Sequence, residues 1–543
     1  MVQKRKEEIV RRFTENGLLL TSHGFEKLID CGLECETVIK ASKERRQWLV
    51  SKEFLTEFFV PECEKKLADE DGLKIVGVEG VEIKPVETPK EEAKPLENFC
   101  PPKIEEPAAR KPEVVVSMGT RKIYAKDAES KLIIDKSSDV TGKSTCEGKL
   151  EDFVDCFNEK FTSLKDIIRM RDSYAGIVPI EVVKKYKGEN SQFVGMVKEK
   201  RESKKGFRFI EMEDPSGEIS VLVPRDNDAL NRLYDTLLPD QVIGVQGKLN
   251  NGNNGSDLFI AKDIVEPDIP VNRKINYADE PVHAVLLSDI HVGSNLFLEK
   301  EFNRFIDWLN LKGAETEAAE KVKYVLVAGD LVDGVGIYPN QEHELVIPDI
   351  YKQYDYLANL LEGIPDYIEV ILAVGNHDAC RNAEPQPALS NELAGRLYDM
   401  DNLHLTGNPV SISMHGVKTL MYHGTTMDTL IAKVPGCSYE KPETAMTEFL
   451  KKRHLAPMYG EDSVSPEKKD YMTIREVPDI FHAGHIHTNG YATYRGVKII
   501  NSGTWQGRTK YQEQLGHMPT PARVPVINLQ NHELSVIHFA ENE

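Results

Sequence analysis

Four apolar runs in the second half of the chain each end in a short cluster of Asp, His or Asn. Ala284-Val285-Leu286-Leu287 leads into Ser288-Asp289-Ile290-His291, and Tyr324-Val325-Leu326-Val327 into Gly329-Asp330-Leu331-Val332-Asp333. Val370-Ile371-Leu372-Ala373 is followed by Gly375-Asn376-His377-Asp378, and Asp479-Ile480-Phe481 by Gly484-His485-Ile486-His487. A lone His423, in Tyr422-His423-Gly424, lies between the last two. Short apolar runs of this kind are the length of buried strands. From about residue 280 onward they alternate with helical patterns at 302–311, 350–361, 391–399 and 443–453, and later strands are predicted at 491–494, 497–500 and 526–528. That alternation predicts an α/β fold with helices outside. Open α/β sheets place ligand sites at the carboxyl ends of strands, so the motifs are expected to meet on one rim.

What would meet there is Asp289, His291, Asp330, Asn376, His423, His485 and His487. Carboxylate and amide oxygen mixed with imidazole nitrogen suits manganese, iron, zinc or nickel better than magnesium or calcium. Seven ligands are too many for one tetrahedral ion, but they suit a pair sharing a bridging carboxylate. Two ions roughly 3.5–4 Å apart are the usual arrangement for hydrolysing phosphate esters. A general acid for such chemistry must reach the ester without being tied up as a ligand. His283 and His482 lie inside or beside the apolar runs and read as core residues. His343, His404, His415 and His454 carry no assignment.

In this order, D-x-H, G-D-x-x-D, G-N-H-D, a single His and G-H-x-H resemble the motifs of the calcineurin-like metallophosphoesterases, over about the last half of the chain. The resemblance implies an αββα sandwich. It further implies that Asp289, His291 and His487 hold one metal, that Asn376, His423 and His485 hold the other, and that Asp330 bridges. His377 would protonate the leaving oxygen, with Asp333 orienting its ring.

A chain of 543 residues is expected to form about two to four domains. The formal net charge of −20 argues against coating nucleic acid by bulk electrostatics, though not against a local basic groove. The eight cysteines form no C-x-x-C pair, which reads as reduced thiols in an intracellular, cytoplasmic protein. No leader-like start and no run of 18 apolar residues occurs. Residues 1–60 are expected to be a small helical module, from the spacing of Ile9, Val10, Phe13 and Leu18-Leu19-Leu20, then Val38, Ile39, Trp48 and Leu49. Residues 61–149, rich in Pro, Glu and Lys, are expected to be an extended linker.

Residues 150–275 read as a helix at 150–172, then strands at 193–197, 207–212, 219–223, 241–249 and 258–264, with one short helix at 227–237. Five strands with a helix after the third match the OB-fold barrel. Its first hairpin carries Lys198, Lys200, Arg201, Lys204, Lys205 and Arg208, with Phe207 and Phe209 interleaved. Such a hairpin can track a phosphate backbone and stack bases. The competing reading has the phenylalanines facing the barrel core and the lysines merely solvated. Residues 276–543 form the metallophosphoesterase region, which holds fourteen of the fifteen histidines.

An OB-like barrel followed by a phosphoesterase resembles the small (B) subunits of replicative DNA polymerases. Their eukaryotic members typically have eroded metal motifs, whereas here every ligand position is filled. The chain therefore resembles the archaeal family D branch, on Gly503-Thr504-Trp505-Gln506, Met518-Pro519-Thr520-Pro521 and Arg453-His454-Leu455-Ala456-Pro457 as well. This implies a manganese-dependent 3′–5′ exonuclease that proofreads DNA at single-stranded or frayed 3′ ends. It would work on the nucleoid beside a separate large catalytic subunit. A non-catalytic scaffold subunit and a free-standing metallophosphatase are the alternatives. Two surfaces are candidates for the large subunit, the 505–526 stretch and the N-terminal module.

Overall fold

The structure is a computed structural model in which the chain forms two units, Met1–Glu113 and Val114–Glu543. It describes residues 123–251, 257–313 and 316–540, and before these only Leu19, Leu20, Val38, Lys40, Leu49 and Val50. In the first unit β1 (Leu19–Leu20) pairs in parallel with β2 (Leu49–Val50), while Val38 and Lys40 are helical. The strand pair corrects the all-helical expectation there. Short apolar runs such as Leu18-Leu19-Leu20 do not separate strand from helix by periodicity. The rest of the predicted helical module and residues 61–122 of the predicted linker lie outside the described residues.

The end of that linker corrects a second expectation. Residues 123–149 are folded, with helix α1 (Tyr124–Asp127) and strand β3 (Leu132–Ile134). β3 adds antiparallel to the edge of a sheet in the second unit. Downstream of it, Ser144 Oγ and the Thr145 amide donate to Glu467. The sequence does carry a sign of this. No proline occurs between Pro112 and Pro179, so the composition that opposes folding stops well before residue 149.

Helix α2 (Leu150–Arg169) buries Phe161, Leu164 and Ile168 against Val194, Met196 and Val242. After α3 (Ile180–Val183) come β4 (Asn190–Glu202), β5 (Arg208–Asp214), β6 (Gly217–Val223), α4 (Asp228–Thr236), β7 (Val242–Asn251) and β8 (Asp257–Val265). The Asn227 side chain caps α4 by accepting from the Leu230 amide at 3.1 Å. The strands close in the order β4-β5-β6-β8-β7, which is the five-stranded barrel the pattern predicted, with its helix after the third strand. Inside it, Ile210 and Met212 join Phe193, Val197 and Phe259. Parity along the strand then sends Phe209 outward, and Phe207 lies just before it. Phe207 is 38% exposed with Arg225 4.0 Å above its ring, and Phe209 carries Arg201 at 4.5 Å. The core-facing reading of these phenylalanines is therefore corrected.

The remaining elements run β9 (His283–Leu287), α5 (Glu299–Leu309), β10 (Val322–Ala328), α6 (Ile350–Leu361), β11 (Glu369–Ala373), α7 (Asn391–Tyr398), β12 (Leu403–Leu405), β13 (Val410–Met414), β14 (Val417–Tyr422), α8 (Met427–Lys433), α9 (Pro442–Lys452), β15 (Ile480–Ala483), β16 (Asn489–Tyr494), β17 (Val497–Ser502), α10 (Lys510–Gln514), β18 (Arg523–Asn528) and β19 (Leu534–His538). They build two six-stranded sheets, β12-β11-β10-β9-β18-β19 and β16-β17-β15-β14-β13-β3. Both are mixed, with parallel strands at the centre. Alternate residues of the two sheets share one core, where Leu286, Leu326 and Ile371 meet Ile412, Met421 and Ile480. On their other faces, Val285, Val327 and Leu372 pack with residues of α5 and α6, and Tyr422, Phe481 and Ile499 with residues of α8 and α9. Central parallel strands buried on both faces read as unbroken apolar runs, and that is why the four runs stood out in the sequence. Trp505 is buried against Phe302 and Phe305, so it closes a core and is removed from the candidate docking stretch.

Candidate metal centre

β9, β10, β11, β14 and β15 end on one rim, and the residues just beyond them form one buried cluster. Asp289, His291, Asp330, Asp333, His423 and His487 are all buried, while Asn376, His377 and His485 are half-buried at its mouth. The backbone bends sharply to bring them together. Asp289, His291, Asp330, His485 and His487 all have φ between 51° and 68°, a conformation that costs a non-glycine residue energy and gathers at functional sites. Two motif glycines are needed for close approach. A Cβ on Gly375 would lie 2.2 Å from Asp330 Oδ1, and one on Gly484 2.5 Å from Asp289 Oδ2.

Asp289, His291 and His487 bring one potential ligand atom each to a common point, as do Asp289, Asp330 and His423. His291 Nε2 lies 3.0 Å from His487 Nε2, and His487 Nε2 lies 3.3 Å from Asp289 Oδ1. Asp330 Oδ2 sits between the two groups, 3.7 Å from His291 Nε2 and 3.4 Å from His423 Nε2. Asn376 Oδ1 is 2.9 Å from His423 Nε2 and 3.1 Å from His485 Nδ1. Lone pairs of buried oxygen and nitrogen facing a shared point require a cation or protons to be stable. This donor set fits divalent metal.

The electrostatics have the same origin. Burial pushes the Asp330 carboxyl up, but the His423, His377 and His291 rings outweigh it and hold the group well below the usual range. Burial pulls the His423 imidazole down, yet Asp330 and Asp289 raise it to about 10. Burial dominates at His377 and lowers it.

The ligands are held by partners of their own. His423 Nδ1 is 2.8 Å from the Ala328 main-chain oxygen, which commits its proton there and turns Nε2 inward. Asp428, on α8, lies 3.2 Å from His485 Nε2. Gln512 Nε2 lies 2.9 Å from His487 Nδ1. The Asp333 carboxylate is 3.0 Å from His291 Nδ1 and accepts from Gln341 and Gln506 at 3.0 and 2.9 Å. Such partners fix ring orientation and tautomer. His377 Nδ1 instead lies 2.8 Å from the main-chain oxygen of Asp333. Asp333 thus meets the His377 ring with its main-chain oxygen, while its carboxylate faces His291. Asp428, Gln341, Gln506 and Gln512 were not found from sequence. Asp428 follows His423 by five residues and Gln506 follows β17 by four, and those positions were the available signal.

Behind His423, Asn408 accepts from the His423 amide at 2.8 Å and donates to Glu384 at 3.3 Å. The Tyr422 hydroxyl donates to Glu384 at 2.8 Å. Burial pushes the Glu384 carboxyl from 4.5 up to about 7. Folded protein therefore holds a proton here that the unfolded chain has lost. The resulting stability is full below about 4.5 and disappears as pH rises through about 7, with up to about 3 kcal/mol involved. Glu384→Gln is expected to raise Tm over wild type at pH 8 and to change it little at pH 4.5. Thermal melts at the two pH values check this, and an equal shift at both would contradict it.

Of the six hairpin cations, four have intramolecular partners. Lys198 pairs with Glu218 at 2.8 Å, Arg201 with Glu211 at 2.7 Å and Arg208 with Asp235 at 2.9 Å, and Lys200 donates to the Tyr234 main-chain oxygen at 2.9 Å. Lys204 and Lys205 stand exposed at the hairpin tip.

The family of the DNA polymerase alpha/epsilon B-subunits matches residues 284–492, and "OB-fold nucleic acid binding domain" matches 192–267. The chain is 42% identical over 414 residues to the DNA polymerase II small subunit of Methanocaldococcus jannaschii, covering 75% of this chain and 68% of that one. It is 44% identical over 393 residues to that of Archaeoglobus fulgidus, covering 72% and 77%. The chain belongs to the archaeal DNA polymerase II (family D) small-subunit family. A third member, from Methanothermobacter thermautotrophicus, is 40% identical over 396 residues, covering 72% and 80%. Among the described residues no helix is long and apolar enough to cross a membrane.

Proposed function

We propose that this small subunit is a metal-dependent 3′–5′ exodeoxyribonuclease that removes mispaired ends for a family D polymerase. Its two-sheet body is read as the αββα sandwich of the calcineurin-like phosphoesterases. The observation that carries the reading is the complete set Asp289, His291, Asp330, Asn376, His423, His485 and His487, gathered on one rim with Asp330 between its two halves. Asp289, His291 and His487 would hold one ion and Asn376, His423 and His485 the other. When bound, two divalent ions, proposed to be manganese among the metals such donors suit, would supply activation of the attacking water and neutralisation of the charge that develops on the phosphodiester.

The chain itself supplies the proton. His377 Nδ1 keeps its hydrogen on the Asp333 main-chain oxygen, so exchange occurs at Nε2, and the residue lines the cleft. His377 belongs to neither set assigned to the ions, although its amide donates to Asp330 and its ring stands 4.7 Å from that of His291, and once Nε2 has gained a proton it can protonate the leaving oxygen. Lys204 and Lys205 at the barrel hairpin are the cations left to meet phosphates.

The test uses the full-length chain with manganese and a 5′-labelled single strand or a duplex with a mismatched 3′ end. Stepwise shortening from the 3′ end, stopped by a chelator, is expected. Intact strands at saturating manganese would refute the nuclease and favour a scaffold role.

A further inference from the structure

The metal centre forms the floor of a cleft of about 770 Å³, a volume that holds a small ligand. Its walls come from two separate segments. One is the 334–347 loop, where Ile337 and Tyr338 stand 37% and 36% exposed. The other is α10 and the turn after it, where Tyr511 is 70% and Leu515 52% exposed. α10 buries none of its residues, so packing does not explain its apolar side chains. Both walls are nevertheless tied to the centre. Gln341 donates to Asp333 while accepting from the Ile337 amide, and Gln512 reaches His487. The Tyr338 hydroxyl donates to Glu344 at 3.1 Å, and its ring stands 6.3 Å from that of His377. Tyr439 and His517, which also line the cleft, stack at 4.3 Å.

Large apolar rings left in solvent beside a buried polar floor mark a binding surface. A polar, cation-binding floor suits a phosphate, and aromatic walls above it suit a base. We infer that the cleft is a stacking slot for one unpaired terminal nucleotide, with Tyr338 and Tyr511 as its walls; this rests on the nuclease reading of the same centre. A terminal base has to leave its complement and its stacked neighbour to enter. That step is easiest for a mispaired or frayed end, which makes unpairing a source of selectivity. Stacking tolerates any base. The slot therefore selects mispaired ends without reading which base is wrong.

The test uses the full-length chain with manganese and oligothymidylate carrying phosphorothioate linkages near its 3′ end. A single 2-aminopurine is placed at the 3′ terminus or in mid-strand. Binding is expected to quench the terminal probe strongly and the mid-strand probe far less. Tyr511→Ala and Tyr338→Ala are each expected to weaken binding by roughly 5- to 150-fold, the loss of one stacked base, and to restore terminal fluorescence. Tyr511→Phe should quench as wild type does. A terminal probe as bright as in the free strand, or alanine variants that quench fully, would overturn the slot. Hydrolysis is read separately on ordinary DNA. Quenching without cleavage would uphold the slot and refute the nuclease, and cleavage without quenching would do the reverse.

Discussion

Asp330→Ala is expected to abolish hydrolysis of DNA and to strip bound metal while leaving the protein folded. Asp330 stands between both halves of the centre, with Oδ2 3.7 Å from His291 Nε2 and 3.4 Å from His423 Nε2. Its other oxygen accepts from the His377 amide at 2.9 Å. On the proposed reading, removing it weakens both metal positions and loosens the loop that carries His377. Losing a partner that merely orients a ligand costs about 10- to 100-fold in affinity or activity, and losing the shared ligand should cost more. Asp330 sits at φ 51°, where Asn is better tolerated than Ala, so Asp330→Asn separates loss of charge from backbone strain. Elemental analysis, circular dichroism and nuclease assays of both variants decide it. Activity equal to wild type in either variant in the presence of a chelator would sink the two-metal reading.

The candidate ligand set was legible because each strand of the rim is buried on both faces and so is written as an uninterrupted apolar run. The chemistry begins where the run stops, as at Leu287 before Asp289 or Ala373 before Asn376. The barrel was legible for a similar reason: Ile210, Met212, Ile219 and Val221 alternate with polar residues along strands that bury one side. The side chains that support the ligands were not legible. Gln341, Asp428, Gln506 and Gln512 lie on loops and short helices with no period, and Asp428 and Gln506 reach partners 57 and 173 residues away. The strand β3 was missed because its three apolar residues, Leu132-Ile133-Ile134, are too short a run to separate from the segment before them, although the prolines stop at Pro112. The role of Asp333 was half legible. The motif placed it beside the acid, but which of its oxygens faces which histidine depends on the backbone turn at Gly334, where φ is 76°.

That division of oxygens gives His377 and Asp333 different expected phenotypes. His377→Ala should retain its metal and lose rate by a factor of about 10²–10⁴, the usual cost of removing a general acid. Asp333→Asn should leave His377 in place, because the main-chain oxygen that holds its Nδ1 at 2.8 Å is untouched. What changes is the carboxylate, which faces His291 Nδ1 and the amide donors of Gln341 and Gln506. An asparagine keeps one acceptor oxygen for these three donors and turns an N–H toward at least one of them. His291 then loses its fixed orientation, and the expected loss is about 10- to 100-fold in metal affinity. Rate should recover in this variant at saturating manganese, and it should not recover in His377→Ala. Metal titrations combined with single-turnover hydrolysis separate the two. Equal metal loss in both variants would contradict the assignment of His377 as a non-ligand. A rate deficit in Asp333→Asn that persists at saturating metal would mean that the carboxylate acts on the proton donor after all.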